Sequence, residues 1–194
     1  MKPALIVLLS LMTLTACHRH SDLQEVPTRD NEVTLRGNPV SIYGDKVEVG
    51  ETAPNFVAVG LDMKEKQLSD FTGKTIVLSV VPSVDTKVCA IQTRTFNEKA
   101  AALGEDVVIL TISKDLPFAQ KRFCGAEGID QVVMLSDYRS GNFGAMWGLQ
   151  IKESGLLARA LYVIDPSGKV VHAQIVPELT TEPDYDAALK AIKS

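Results

Sequence analysis

Three cysteines, at positions 17, 89 and 124, carry most of the reactive potential of this 194-residue chain. Cys89 closes the stretch Pro82-Ser83-Val84-Asp85-Thr86-Lys87-Val88-Cys89, after the apolar run 75–81 and before a helix-like segment from Ala90 to Leu103. A buried strand that ends at a proline and hands over to a helix places Cys89 near the first helical turn. There the unpaired backbone N–H groups and the positive end of the dipole favour a thiolate. Thr86 lies three residues ahead, within hydrogen-bonding reach of the sulfur or of a bound oxygen. Pro82 cannot donate to a ladder and restricts the entering backbone, which suits it to shield one side of the sulfur. The competing reading of Cys89 is a core cysteine, because the free thiol packs well among apolar residues.

The elements that must position this stretch are legible as hydrophobic periods. The runs 75–81, 107–112 and 132–135 are continuous and apolar, which suits a parallel or mixed sheet covered on both faces. Ala90, Ile91, Phe96, Ala100 and Leu103 make an imperfect amphipathic stripe, predicting a helix behind Cys89. A second helix is predicted over 116–124, with Pro117 in its first turn, Phe118 and Phe123 inward, and Lys121 and Arg122 in solvent. Gly125 directly after Cys124 weakens that helix, so the segment carrying the second thiol opens locally at low cost. Val33–Arg36 and Val40–Tyr43 read as a hairpin around Gly37-Asn38-Pro39, and Ala53–Val59 reads as a strand. Leu68–Phe71 forms a short turn or helix with Phe71 as an anchor, and Phe143–Leu149 forms a short helix with Met146 and Trp147 as packing bulk. Ala160–Ile164 and Val170–Val176 flank the turn signature Asp165-Pro166-Ser167-Gly168-Lys169. Tyr185, Ala188, Leu189 and Ile192 share one face of a final helix. This order predicts an α/β domain over 31–194, with a central mixed β-sheet flanked by helices and a hairpin at its N-terminal end.

The N-terminal segment gives a separate message. Met1-Lys2-Pro3 is a small basic start, Ala4 to Leu14 is apolar except for Ser10 and Thr13, and Leu14-Thr15-Ala16-Cys17 closes the run with small residues. The run is short for a membrane-spanning helix and suits a removable export signal over 1–16. The ending 14–17 resembles the lipobox of bacterial lipoproteins, which implies lipidation of Cys17; ordinary secretion and an uncleaved anchor are the competing readings. The polar stretch 17–30 then reads as a tether, with His18 and His20 solvated rather than metal ligands. His18 after the lipid cysteine, where retention at the inner membrane calls for Asp, leans toward the outer membrane with the body facing the periplasm. The formal charge of −4 comes with no basic stripe, which excludes a nucleic-acid partner on charge. There is no G-x-S-x-G elbow, no glycine-rich phosphate loop, and no ligand cluster around His172, so no cofactor or metal is expected.

Cys89 and Cys124 stand 35 positions apart without a C-x-x-C, which disfavours a simple dithiol carrier. PSVDTKVC at 82–89, DLPFAQKRFCGAEG at 115–128, LLARALYVID at 156–165 and TTEPDYDAAL at 180–189 together resemble the thiol peroxidase branch of the peroxiredoxins, the atypical two-cysteine class. The resemblance runs from about Val33 to the end and implies a thioredoxin-like fold. It also implies a peroxidase for hydrogen peroxide and organic hydroperoxides, with Cys89 as peroxidatic nucleophile, Cys124 as resolving thiol and an intramolecular Cys89–Cys124 disulfide. Thr86 would orient the peroxide, Pro82 would limit solvent, and Arg159 would stabilise the thiolate and the charge developing on the peroxide. Arg94 does not share a helical face with Cys89 and ranks lower. The family implies a thioredoxin reductant and a homodimer. Its usual setting is cytoplasmic, so the export signal points instead to a periplasmic thioredoxin-like reductant. Two other readings compete: a thioredoxin-fold disulfide-exchange protein, and an envelope lipoprotein in which the same disulfide is only structural.

Overall fold

The computed structural model describes residues 26–192; the expected export signal, Cys17 and most of the tether lie outside the described residues. In chain order the elements are β1 (Thr28–Leu35), β2 (Asn38–Tyr43), β3 (Val57–Gly60), β4 (Glu65–Gln67), a 3-10 turn (Leu68–Phe71), β5 (Thr75–Val80) and α1 (Lys87–Ala100). They continue with β6 (Val107–Ser113), α2 (Pro117–Glu127), β7 (Val133–Ser136), α3 (Asn142–Met146), β8 (Ala160–Ile164), β9 (Val170–Ile175) and α4 (Tyr185–Ala191). β1 and β2 form an antiparallel ribbon of their own. The other strands make one seven-stranded sheet in the order β4-β3-β7-β6-β5-β8-β9. β5, β6 and β7 run parallel, while β3, β8 and β9 pair antiparallel with their neighbours. This is the expected mixed sheet.

Alternation along the central strands builds two cores. Ile76, Leu78, Val80, Leu110, Ile112, Ala160 and Tyr162 face a cluster with Phe56, Phe143 and Trp147 beneath the β1–β2 ribbon. Val77, Val81, Ile109, Leu161 and Val163 face the other way, onto Cys89 and Phe96 of α1 and Cys124 of α2. The period of two therefore assigns both thiols to one side of the sheet.

Several local expectations shift. β1 begins at Thr28, inside the expected tether. The ribbon turns at Arg36 and Gly37, both with positive φ, so Asn38 and Pro39 already belong to β2. That pair of positive dihedrals is what a two-residue hairpin turn requires. α2 runs through Gly125 and ends at Gly128, whose φ of 66° supplies the left-handed cap. Phe118 is 60 % exposed rather than packed inward, and Met146 is exposed while Trp147 is fully buried. On α1 the buried face is Cys89, Gln92, Thr93 and Phe96, with Ala100 and Leu103 packed against the same core; of the expected apolar stripe, Ala90 and Ile91 are left half-buried. Polar groups win that face because each finds a partner there, as the site geometry makes plain.

Candidate active site

The chemistry gathers at the C-terminal ends of β5 and β6, where parallel strands hand over to helices. β5 gives way to the loop through Pro82, and Thr86 takes the N-cap position of α1 with extended backbone angles. Its side chain makes no capping bond. Instead, the Thr86 hydroxyl lies 2.8 Å from Cys89 Sγ and 3.1 Å from the carbonyl oxygen of Ser83. Cys89 is fully buried, in the first turn of α1, and it is a free thiol.

Arg159 reaches the same sulfur from the sheet. It precedes β8, shares the parity of Leu161 and Val163, and so points to the α1 side of the sheet. Its Nη2 lies 3.3 Å from Cys89 Sγ, and its Nη1 donates to Gln92 Oε1 at 2.7 Å. Nε and Nη2 both donate to the carbonyl oxygen of Leu179, at 3.1 and 2.8 Å. Gln92 is held in turn by its own amide, which donates to Ser79 Oγ at 2.8 Å. Arg159 is only 1 % exposed, and among the described residues no ion pair involves it. A buried guanidinium needs an anion or a full set of acceptors. Its acceptors here are the Gln92 side-chain oxygen, the Leu179 carbonyl and the Cys89 sulfur.

A cavity of about 640 Å³ leads to this cluster. Pro82, Thr86 and Arg159 are among its lining residues, and Leu35, Val40, Ile151, Leu156 and Leu179 make much of its wall apolar. The β1–β2 ribbon supplies Leu35 and Val40, which is how an N-terminal hairpin enters the site. Cys124 sits on the neighbouring α2, buried and free. Burial pushes its thiol above the ordinary value, opposed by a backbone hydrogen bond.

The structure thus brings Pro82, Thr86, Cys89 and Arg159 together and leaves Cys124 unbonded nearby in the same core cluster. Arg94 turns away from the sulfur, pairing through Nη1 with Glu127 Oε2 at 2.6 Å. Gln92 and the Leu179 carbonyl were missed from sequence. Gln92 had a signal: three residues after Cys89, it falls on the same helical face. A backbone carbonyl carries no sequence signal.

Comparison with known proteins agrees with this geometry. The redoxin family model matches residues 48–189. A thiol peroxidase of Bacillus subtilis is 51 % identical over 163 residues, covering 84 % of this chain and 97 % of that protein. The chain belongs to the redoxin family. Within it, the likeness is to thiol peroxidases: that of Streptococcus pneumoniae is 49 % identical over 162 residues, covering 84 % of this chain and 99 % of its own length. Among solved structures, a peroxiredoxin-like protein from Aquifex aeolicus superposes with a TM-score of 0.79 at 41 % identity, covering 86 % of this chain and 97 % of that one. The thiol peroxidase of Chromobacterium violaceum gives 0.75 at 19 % identity, covering 83 % and 94 %, a likeness of fold. This redoxin is a thiol-dependent peroxidase with the thioredoxin-like peroxiredoxin fold.

Proposed function

We propose that Cys89 is the peroxidatic nucleophile, Cys124 the resolving thiol, and Thr86, Pro82 and Arg159 the groups that bind and orient the peroxide. The observation that carries this reading is the pair of donors, Thr86 Oγ1 and Arg159 Nη2, converging on one buried sulfur at the end of a cavity. The Cys89 thiolate attacks the terminal oxygen of a hydroperoxide, forming an S–O bond as the O–O bond breaks. The departing alkoxide or hydroxide takes a proton and leaves as alcohol or water, its developing charge stabilised by the guanidinium. Cys124, losing its proton, then attacks the Cys89 sulfenic sulfur; the S–S bond forms, the S–O bond breaks, and water leaves. An external dithiol returns two electrons by exchange. The apolar wall of the cavity favours organic hydroperoxides as substrates beside hydrogen peroxide.

The reading extends to a homodimer and to an export pathway. The basic start, apolar run and small residues before Cys17 support a lipid-anchored protein at the outer membrane, facing the periplasm. A periplasmic thioredoxin-like protein is then the reductant.

The test combines stopped-flow peroxide consumption with intact-mass analysis of the reduced body and its Cys89→Ser and Cys124→Ser variants. Expected are loss of turnover in the first, a trapped Cys89 sulfenic acid in the second, and a Cys89–Cys124 disulfide in the parent. Equal, slow oxidation of all three proteins would reject the assignment. The intact mass of membrane-fraction protein, with and without Cys17→Ser, checks the lipid.

A further inference from the structure

One carboxylate is bonded to the loop before Cys89 and, through Ser113 and Gln120, to the helix of Cys124. Asp115 follows β6 and precedes α2. Its Oδ1 accepts from Ser83 Oγ at 2.7 Å, and its Oδ2 accepts from the Val84 N–H at 2.8 Å and from Ser113 Oγ at 2.7 Å. Ser113 Oγ, having donated to Asp115, accepts from Gln120 Nε2 at 3.0 Å. Gln120 is fully buried on α2, one turn before Cys124, and its amide also donates to the Leu135 carbonyl at 2.8 Å. On the other side, the Ser83 carbonyl accepts from the Thr86 N–H and lies within reach of the Thr86 hydroxyl, which also touches Cys89 Sγ. A hydroxyl has one proton to give, so Thr86 donates either to Ser83 or to the sulfur at any moment. Holding Ser83 in place therefore sets which donors the sulfur receives.

We propose that Asp115 is a positioning residue for both chemical steps: through Ser83 it places Thr86 against Cys89, and through Ser113 and Gln120 it keeps the Cys124 helix docked until Cys89 has been oxidised. This rests on the roles proposed above for the two cysteines. The arrangement is suited to such a role because a carboxylate only accepts, and all of its partners here donate. Asp115→Asn leaves one acceptor oxygen where the carboxylate offers two, so Ser83, Val84 and Ser113 compete for it at nearly constant volume. Gln120→Met breaks only the arm to α2.

Rapid-mixing measurements on the reduced protein separate the two steps: Cys89 oxidation from peroxide loss, and disulfide formation from the mass of samples quenched over time. Asp115→Asn is expected to slow the first step and speed the second, each by about tenfold, in the range such couplings span. Gln120→Met is expected to leave the first step within about twofold and speed the second severalfold, with less Cys89 sulfinic acid at high peroxide. A purely structural role would lower the melting temperature of both variants while leaving both steps unchanged, and that result overturns the proposal. The parent run alongside separates this failure from the broader one. If it forms a Cys89–Cys124 disulfide while the variants keep its rates, only the role of Asp115 falls. If it forms none, the assignment of the cysteines falls and that of Asp115 with it.

Discussion

At the scale of the residue, the site is organised by a buried cation that has no carboxylate partner among the described residues. Arg159 spends its donors on Gln92, Leu179 and the Cys89 sulfur while its side chain is almost fully buried. Lysine keeps the charge but loses the planar fork that serves three acceptors at once. Arg159→Lys is therefore expected to lower the second-order rate constant for peroxide by about 100-fold, the usual cost of removing one aligned donor from a developing oxyanion. Stopped-flow kinetics on the correctly folded variant checks this; a rate constant within twofold of the parent would show that the guanidinium is only structural. Sequence made Cys89, Thr86 and Pro82 legible because they fall in one short stretch whose proline and helix start explain each other. Arg159 lies 70 positions from Cys89 and was found by resemblance alone, since nothing local distinguishes it from a surface arginine. Helical periodicity from Cys89 reaches the position of Gln92 but not its partner Arg159, and it does not reach the bonds of Asp115 to Ser83 and Val84.

At the scale of the element, the β1–β2 ribbon becomes part of the active site through Glu178. Its carboxylate accepts from the Arg36 and Gly37 N–H groups at 3.0 Å, from Thr34 Oγ1 at 2.8 Å, and from the N–H and hydroxyl of Thr180 at 2.9 and 2.6 Å. The same loop supplies the Leu179 carbonyl to Arg159, and Thr34 pairs with it through both backbone groups. Hydrogen bonds from Thr180, Gly37 and Thr34 hold the Glu178 carboxyl well below the usual carboxylate range. A carboxyl depressed in the folded state contributes stability above its unfolded value, about 4.3, and that contribution is lost as pH falls below it. The thermal stability of the parent should therefore drop more steeply from pH 5 to pH 3 than that of Glu178→Gln. At neutral pH the variant should raise KM for a bulky organic hydroperoxide severalfold more than for hydrogen peroxide, because the ribbon walls the cavity rather than touching the sulfur. Parallel acid profiles, or equal KM changes, would separate the ribbon from catalysis. The ribbon was visible in sequence as apolar segments around a glycine, although its turn was placed late. A positive φ at Arg36 is unusual for a residue with a side chain, and composition does not announce it.

At the scale of the whole molecule, the two sides of the sheet differ in how firmly their elements are held. β5, β6 and β8 are sealed between both cores, with Val77, Leu78, Leu110, Ile112, Leu161 and Val163 fully buried. α2 buries only Pro117, Gln120 and Cys124, while Phe118 and the turn from Gly125 to Gly128 face solvent. Beyond Gln120 the polar ties of its C-terminal end are the Arg94–Glu127 pair and Asn97, whose amide donates to the Gly128 carbonyl at 3.4 Å and whose oxygen accepts from the Asp130 and Gln131 N–H groups just past the helix, at 3.0 and 2.7 Å. An element with few buried apolar contacts and polar ties at its ends opens at lower cost than the sheet beneath it. A disulfide requires the two Cα atoms to come within about 7 Å with their Cβ atoms facing. For the disulfide proposed between Cys89 and Cys124, α2 is the cheaper element to move. In hydrogen exchange, the oxidised protein should lose amide protection over 117–131 relative to the reduced form, while β5, β6 and β8 keep theirs. Equal protection of α2 in both redox states would mean that the thiols join without opening it, and loss spread across the sheet would mean that the sheet gives way too.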